Sequence, residues 1–162
     1  MNPFQFEIIL QKISAKHVSF ILVGGLAAVA HGMNTMTNDV DIFYDRTAQN
    51  ITNLVSALKE AHPQLRTAGG SVPFLFDEKS FVNTLNFTLD TDWGPVDLLG
   101  ELLGVKDFQS VKQNSKTMTV FGVEIQVISL DDLIACKKAA GRTKDKLHLL
   151  ELEALREIAE KK

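Results

Sequence analysis

In the run TNDVDIF, Thr37–Phe43, two aspartates interrupt what otherwise reads as an apolar strand. Asp is among the residues most depleted from strands, so Asp39 and Asp41 restrict where this segment can sit. Residues two apart on a strand share a face, which sets Asp39 and Asp41 side by side while Val40 and Ile42 turn to a core. Two like charges so placed repel each other. A divalent cation with oxygen ligands offsets that repulsion directly. Taken alone, the pair fits the polar face of an exposed alternating strand equally well, so its surroundings decide.

One surrounding feature lies upstream. Ser19–Val23, SFILV, is a short β-branched and aromatic run, stopped by Gly24-Gly25 and followed by LAAVAHG, whose alanines favour a short helix ended by Gly32. The order is strand, tight turn, helix. Glycines at such a turn let backbone N–H groups approach phosphate oxygens with no Cβ in the way. A second feature lies downstream, where Asp97 in GPVDLLG is another acid embedded in an apolar strand. If that strand neighbours Thr37–Phe43, three carboxylates converge. Two would hold metal and nucleotide, and the third would complete the metal site or take the proton from an attacking hydroxyl.

Several sites are excluded. The chain contains neither GxGxxG nor GxxxxGK[ST], so neither a dinucleotide fingerprint nor a P-loop is present. DVDIFYDRTAQN is no calcium loop: Phe43 and Tyr44 stand where a ligand and a glycine belong, and Asn50 where a bidentate Glu belongs. A single cysteine, Cys136, rules out an intramolecular disulfide and a cysteine-built zinc site; it reads as a small apolar residue on a helix. His17, His31, His62 and His148 show no metal-ligand spacing, and Trp93 reads as packing over a hairpin.

The rest of the chain supplies the frame. Phe6, Ile9, Leu10 and Ile13 share a helical face behind Pro3. Thr47 caps a helix with a stripe of Ile51, Leu54, Val55 and Leu58, and Pro63 ends it. Residues 64–79, punctuated by Gly and Pro, read as a loop with at most a short strand. FVNTLNFTL and GPVDLLG form a hairpin around DTDWG, and TMTVFGVEIQVI forms two short strands around Gly122. Ser129 and Asp132 suit a capping box for the helix DDLIACKKAA, closed by Gly141. In the last helix, Leu147, Leu150, Ala154 and Ile158 fall at helical spacing, with Leu149, Leu152 and Leu155 outside that stripe, so more than one face is available to be covered.

With 162 residues, 45% of them hydrophobic, the chain is expected to form one α/β domain, a small mixed sheet flanked by helices. The expected core covers about 19–130, with C-terminal helices over about 131–160 bordering the site. The apolar runs are too short to span a bilayer and no signal peptide opens the sequence, so a cytoplasmic protein is expected. Net charge is −3, but residues 137–162 carry eight Lys/Arg against five Asp/Glu, a net of +3 that leaves −6 for the first 136 residues.

These motifs together resemble the nucleotidyltransferase superfamily with the DNA polymerase β-like palm. The resemblance rests on VGG (Val23–Gly25), thirteen intervening residues, DVDI (Asp39–Ile42) and VDL (Val96–Leu98). More narrowly, LVGGLAAVAHGMNTMTNDVDIF with VISLDDLIACKKAAGRTKDKLHLLELEAL resembles the small minimal nucleotidyltransferases related to AbiEii-type toxins. The resemblance implies that Gly24 and Gly25 support a nucleoside triphosphate, that Asp39 and Asp41 bind Mg²⁺ or Mn²⁺, and that Asp97 is the third carboxylate. It implies that Thr37 contacts phosphate or fixes the strand end, and that Lys137, Arg142, Lys144 and Asp145 belong to the nucleotide site. It further implies transfer of a nucleoside monophosphate to a tRNA, protein or small-molecule acceptor, with an antitoxin as a possible partner. Where relatives often carry a basic residue before the acid pair, MNTMTN holds none. A non-catalytic nucleotide- or RNA-binding relative and an interaction module of a toxin–antitoxin pair are the alternatives.

Overall fold

In the computed structural model, which describes residues 3–161, the chain folds around one eight-stranded mixed sheet. Helix α1 (Pro3–Ala15) leads into β1 (Phe20–Val23), α2 (Gly24–Ala30), β2 (Val40–Tyr44) and α3 (Ala48–Leu58). There follow β3 (Gln64–Thr67), β4 (Gly70–Val72), β5 (Phe87–Thr91), β6 (Gly94–Leu99) and α4 (Phe108–Asn114). β7 (Lys116–Val120), β8 (Val123–Val127), α5 (Leu130–Ala140) and α6 (Thr143–Glu160) complete the chain. The sheet order is β4-β3-β5-β6-β2-β1-β8-β7. β2 runs parallel to β6 and β1 parallel to β8, while the other neighbours are antiparallel.

The central strands follow the alternation in the sequence. Val40, Ile42, Val96 and Leu98 are fully buried, and between them Asp41 and Asp97 keep partial access to solvent. β1 is buried along its whole length, as a strand covered on both faces must be. Phe6, Ile9, Leu10 and Ile13 of α1 join the same core as Leu54, Val55 and Leu58 of α3. Each such side chain contributes roughly 1.5–3 kcal/mol relative to exposure. Asn50 is the one polar residue buried in α3. Its side chain accepts from the Ser19 N–H at 2.6 Å and donates to the Ser19 and Asp45 carbonyls, so its burial is fully compensated. The caps on α3 and α5 form where expected: Thr47 accepts from the Asn50 N–H and Ser129 from the Asp132 N–H. Gly141 ends α5 at φ +63, a left-handed conformation that glycine adopts without strain.

Three segments differ from the sequence reading. Residues 64–79 contain two strands: β3 and β4 form a hairpin, and β3 joins the sheet through β5. These strands have four and three residues and no buried positions, so no alternation marks them. The hairpin strand β5 starts at Phe87, because Phe81 instead ends a short 3₁₀ turn capped by Asp77 and packs on Phe87 with ring centroids 4.7 Å apart. In α6 the expected stripe points outward: Leu147, Leu150 and Ile158 are exposed, while Leu152 is buried and Leu149 and Leu155 lean on the core. The face of α6 turned inward carries Leu152 and the buried Asp145, and the exposed pairs Lys138–Glu153 and Arg156–Asp131 also join it to α5.

Candidate active site

The register of the central strands assembles the acids. Asp41 pairs directly with Asp97 in the parallel β2–β6 ladder, so their side chains leave the same face. Asp39 lies just ahead of β2, which starts at Val40 rather than at Asn38, and still brings its carboxylate to the same cluster. One carboxylate oxygen from each of Asp39, Asp41 and Asp97 lies within 4.8 Å of the others. Burial first, then the charges of Asp97 and Asp39, push the Asp41 carboxyl up to about 8. Burial also raises Asp97, against the opposing pull of Arg66.

The Asp41 Oδ1 atom is buried and has no hydrogen-bond partner. A buried polar atom left unpaired costs free energy; burial and its acidic neighbours favour the protonated form of Asp41, and a cation that displaces this proton would satisfy the ionised oxygen. All-oxygen donors from three carboxylates suit Mg²⁺ or Mn²⁺. The residues present therefore fit a divalent cation.

Gly24 and Gly25, at the start of α2, close over this row. β1 pairs with β2 so that Val23 opposes Asp41, which brings the next residue onto the carboxylate. A Cβ on Gly24 would overlap Asp41 Oδ2, and Gly24 sits at φ +68, so both space and backbone demand glycine. A Cβ on Gly25 would meet Thr37 Oγ1 at 2.8 Å. Thr37 itself donates to the Asp39 carbonyl at 3.4 Å, tying the loop to the strand that carries the acids.

Arg66 is the site residue that the sequence motifs do not reveal. From β3 its guanidinium donates to Asp97 Oδ1 at 2.9 Å, to Asp90 Oδ1 at 3.1 Å and to the Leu89 carbonyl at 2.8 Å, and lies 3.5 Å from Asp39 Oδ2. Its positive charge takes up part of the repulsion between the acids. MNTMTN holds no cation, which signals that one must come from elsewhere, but nothing local in QLRT marks which.

The C-terminal basic residues divide. Lys137 and Arg142 line a cavity of about 290 Å³ with Gly24 and Asp41, beside apolar walls from Leu102, Leu133 and Cys136. Asp145 is fully buried behind them, accepting from Arg142 Nε at 2.7 Å and from Lys137 Nζ at 3.2 Å. Burial alone would raise the Asp145 carboxyl, but these two donors more than offset it and hold it below the usual range. Lys144 is exposed and is not part of the cavity wall. Burial drives the Cys136 thiol up to about 11, away from reactivity. His31 is satisfied at the Ile128 carbonyl, 2.7 Å away, and Trp93 packs half-buried under Lys12.

No family model matches the chain, and no curated protein matches its sequence. Solved structures match its fold. The lincosamide antibiotic adenylyltransferase LnuA, lincomycin-bound, aligns with a TM-score of 0.66 at 15% identity, over 96% of this chain and 98% of that one. The antibiotic-resistance factor ANT(2'')-Ia aligns at 0.57 and 12% identity, over 98% and 91%. The candidate nucleotidyltransferase TM1012 from Thermotoga maritima aligns at 0.53 and 16% identity, over 97% and 91%. The fold is thus the nucleotidyltransferase fold, and identities this low carry the fold alone. None of these three is described as an AbiEii-type toxin, and the narrower resemblance expected from the sequence finds no support among them. No helix among the described residues is long and apolar enough to cross a membrane.

Proposed function

We propose that this protein is a nucleotidyltransferase that moves a nucleoside monophosphate from an NTP to an acceptor hydroxyl, releasing pyrophosphate. The observation that carries the reading is the buried, unpaired Oδ1 of Asp41 within a cluster of three converging carboxylates, directly beneath the Gly24 turn. Structure built for stability alone would not leave like charges so poorly compensated.

Asp39 and Asp41, with Asp97, would hold Mg²⁺ or Mn²⁺, which supplies charge neutralisation on the triphosphate. Gly24 and Gly25, lacking side chains, let the α2 backbone lie against Asp41 and Thr37, so that its N–H groups come close to where the triphosphate would meet the acids. Thr37 fixes the strand end beside them. Lys137 and Arg142, on the cavity that Gly24 and Asp41 share, carry the positive charge that pyrophosphate needs as it leaves; Arg142 suits a bidentate phosphate contact. Asp145 orients both by pairing with each. Lys144 stands outside this arrangement and is the nearby cation available to the solvent-facing end of a nucleotide. Asp97 takes the acceptor proton. The chain's main contribution is positioning and charge stabilisation, as phosphoryl-type transfer requires.

The test is calorimetric titration of each of the four NTPs, with and without Mg²⁺, into wild type and the Asp39→Ala/Asp41→Ala variant. Metal-dependent binding of at least one NTP that disappears in the variant is expected. A wild-type protein that binds no NTP under either condition would sink the reading.

A further inference from the structure

The carboxylate row continues sideways into strands that the nucleotidyltransferase motifs do not include. Across the β5–β6 ladder Asp97 is opposed by Thr88, and across the β3–β4 hairpin Arg66 is opposed by Ser71. Directly opposed residues share a face, and Arg66 proves its own side by reaching Asp97. The β3–β5 ladder is short, pairing only Gln64 with Asp90 and Leu65 with Leu89. Beyond Leu65 the two strands part, and a cavity of about 440 Å³ occupies the gap.

Its walls combine Phe74 and Phe87 with the hydroxyl and amide groups of Ser80, Thr84, Asn86 and Thr88. Arg66 lines it and is its one charged wall residue. Asn86 also lines the cavity that holds Gly24, Asp41, Lys137 and Arg142, so the two spaces share a wall at Asn86. Asp41 itself walls the first, and the second meets the acids through Arg66, which donates to Asp97 Oδ1 at 2.9 Å, and through Thr88, opposed to Asp97.

Resting on the transferase reading above, we propose that the 440 Å³ cavity between β3 and β5 is the acceptor site, and that its occupant is an uncharged, hydroxyl-bearing small molecule with an apolar face. The volume falls within the usual range for small-molecule sites. The aromatic walls suit the apolar face and the Ser, Thr and Asn groups suit neutral hydroxyls. A polynucleotide acceptor is disfavoured because residues 64–100 hold two cations, Arg66 and Lys79, against Asp77, Glu78, Asp90, Asp92 and Asp97. Phosphate backbones are held by Lys and Arg, and Arg66 is already engaged by acids. In the transfer, the acceptor oxygen forms a bond to the α-phosphorus and the bond to the bridging oxygen breaks. Pyrophosphate leaves with that electron pair, and the acceptor proton passes to the Asp97 carboxylate.

The experiment incubates wild type, Thr88→Trp and Thr84→Phe with α-³²P-labelled NTPs and Mg²⁺. In parallel tubes it supplies a protein-free small-molecule filtrate of a cell extract, bulk tRNA, or no addition. Both substitutions fill the cavity from exposed positions, so either one suffices if the other misfolds. Expected is label in the filtrate compounds only. Each variant should lower it about tenfold at limiting acceptor, while NTP affinity by calorimetry stays within about twofold of wild type. Label confined to tRNA or to the protein overturns the assignment, as does filtrate labelling that both variants leave unchanged. NTP binding with no label in the filtrate overturns the acceptor site while leaving the transferase site standing. Failure of wild type to bind NTP overturns both.

Discussion

Two charged clusters face the same cavity and are built on opposite terms. On β2 and β6 three carboxylates share one partial counter-ion, Arg66, and one buried oxygen of Asp41 pairs with nothing. Between α5 and α6 a single carboxylate, Asp145, is fully buried but accepts from both Lys137 and Arg142. The first cluster is under-compensated and gains by binding a cation. The second is satisfied from within and gains nothing further, so it serves as a clamp that sets two cations at the cavity wall. A buried ion pair of the second kind adds little net stability, yet removing one partner is costly.

The sharpest way to separate the two is Asp41→Asn. Transfer should fall about a thousandfold, the scale of losing several kcal/mol of metal-supplied charge stabilisation. The fold should not suffer. Because the Asp41 pKa is raised in the folded state, from 3.8 to about 8, its contribution is present below pH 4 and lost as pH climbs through 8. In EDTA the wild type should therefore melt several degrees lower at pH 9 than at pH 6, whereas Asp41→Asn should show a flatter profile and Mg²⁺ should restore the wild type. A variant that melts well below wild type at pH 9 would contradict the under-compensated picture.

Asp145→Ala should do the reverse, acting on stability before activity. Loss of its hydrogen bonds from charged donors should cost about 2 kcal/mol at neutral pH, less than a sealed pair would, because Arg142 is half-exposed and can turn to water. Denaturant titration measures this. NTP affinity should fall only a few-fold.

The smallest effect belongs to Arg66→Ala. Removing a cation 2.9 Å from Asp97 and 3.5 Å from Asp39 should tighten Mn²⁺ binding by a few-fold, read by electron paramagnetic resonance, while lowering metal-free stability. Weaker Mn²⁺ binding would mean that Arg66 chiefly positions the acids rather than standing in for the metal.

What the sequence determined on its own was local in origin. Period-two alternation placed Asp41 and Asp97 on strands among buried Val, Ile and Leu, with Asp39 just ahead of its strand rather than on it, and the Gly24-Gly25 stop marked the turn above them. Thr47, Ser129 and Gly141 announced helix ends because caps are read within four residues. The tertiary structure decided the rest. Arg66 reaches the acids only because β3, too short to show a pattern, is drafted into the sheet by β5. The sequence put leucines on two faces of α6, and packing decided between them: Leu152 and Asp145 are buried while Leu147 and Leu150 are exposed. The cavity between β3 and β5 exists because a ladder ends after two residue pairs. Each of these depends on contacts between segments distant in the chain, and hydrophobic pattern fixes which face of an element is apolar without fixing which neighbour it meets.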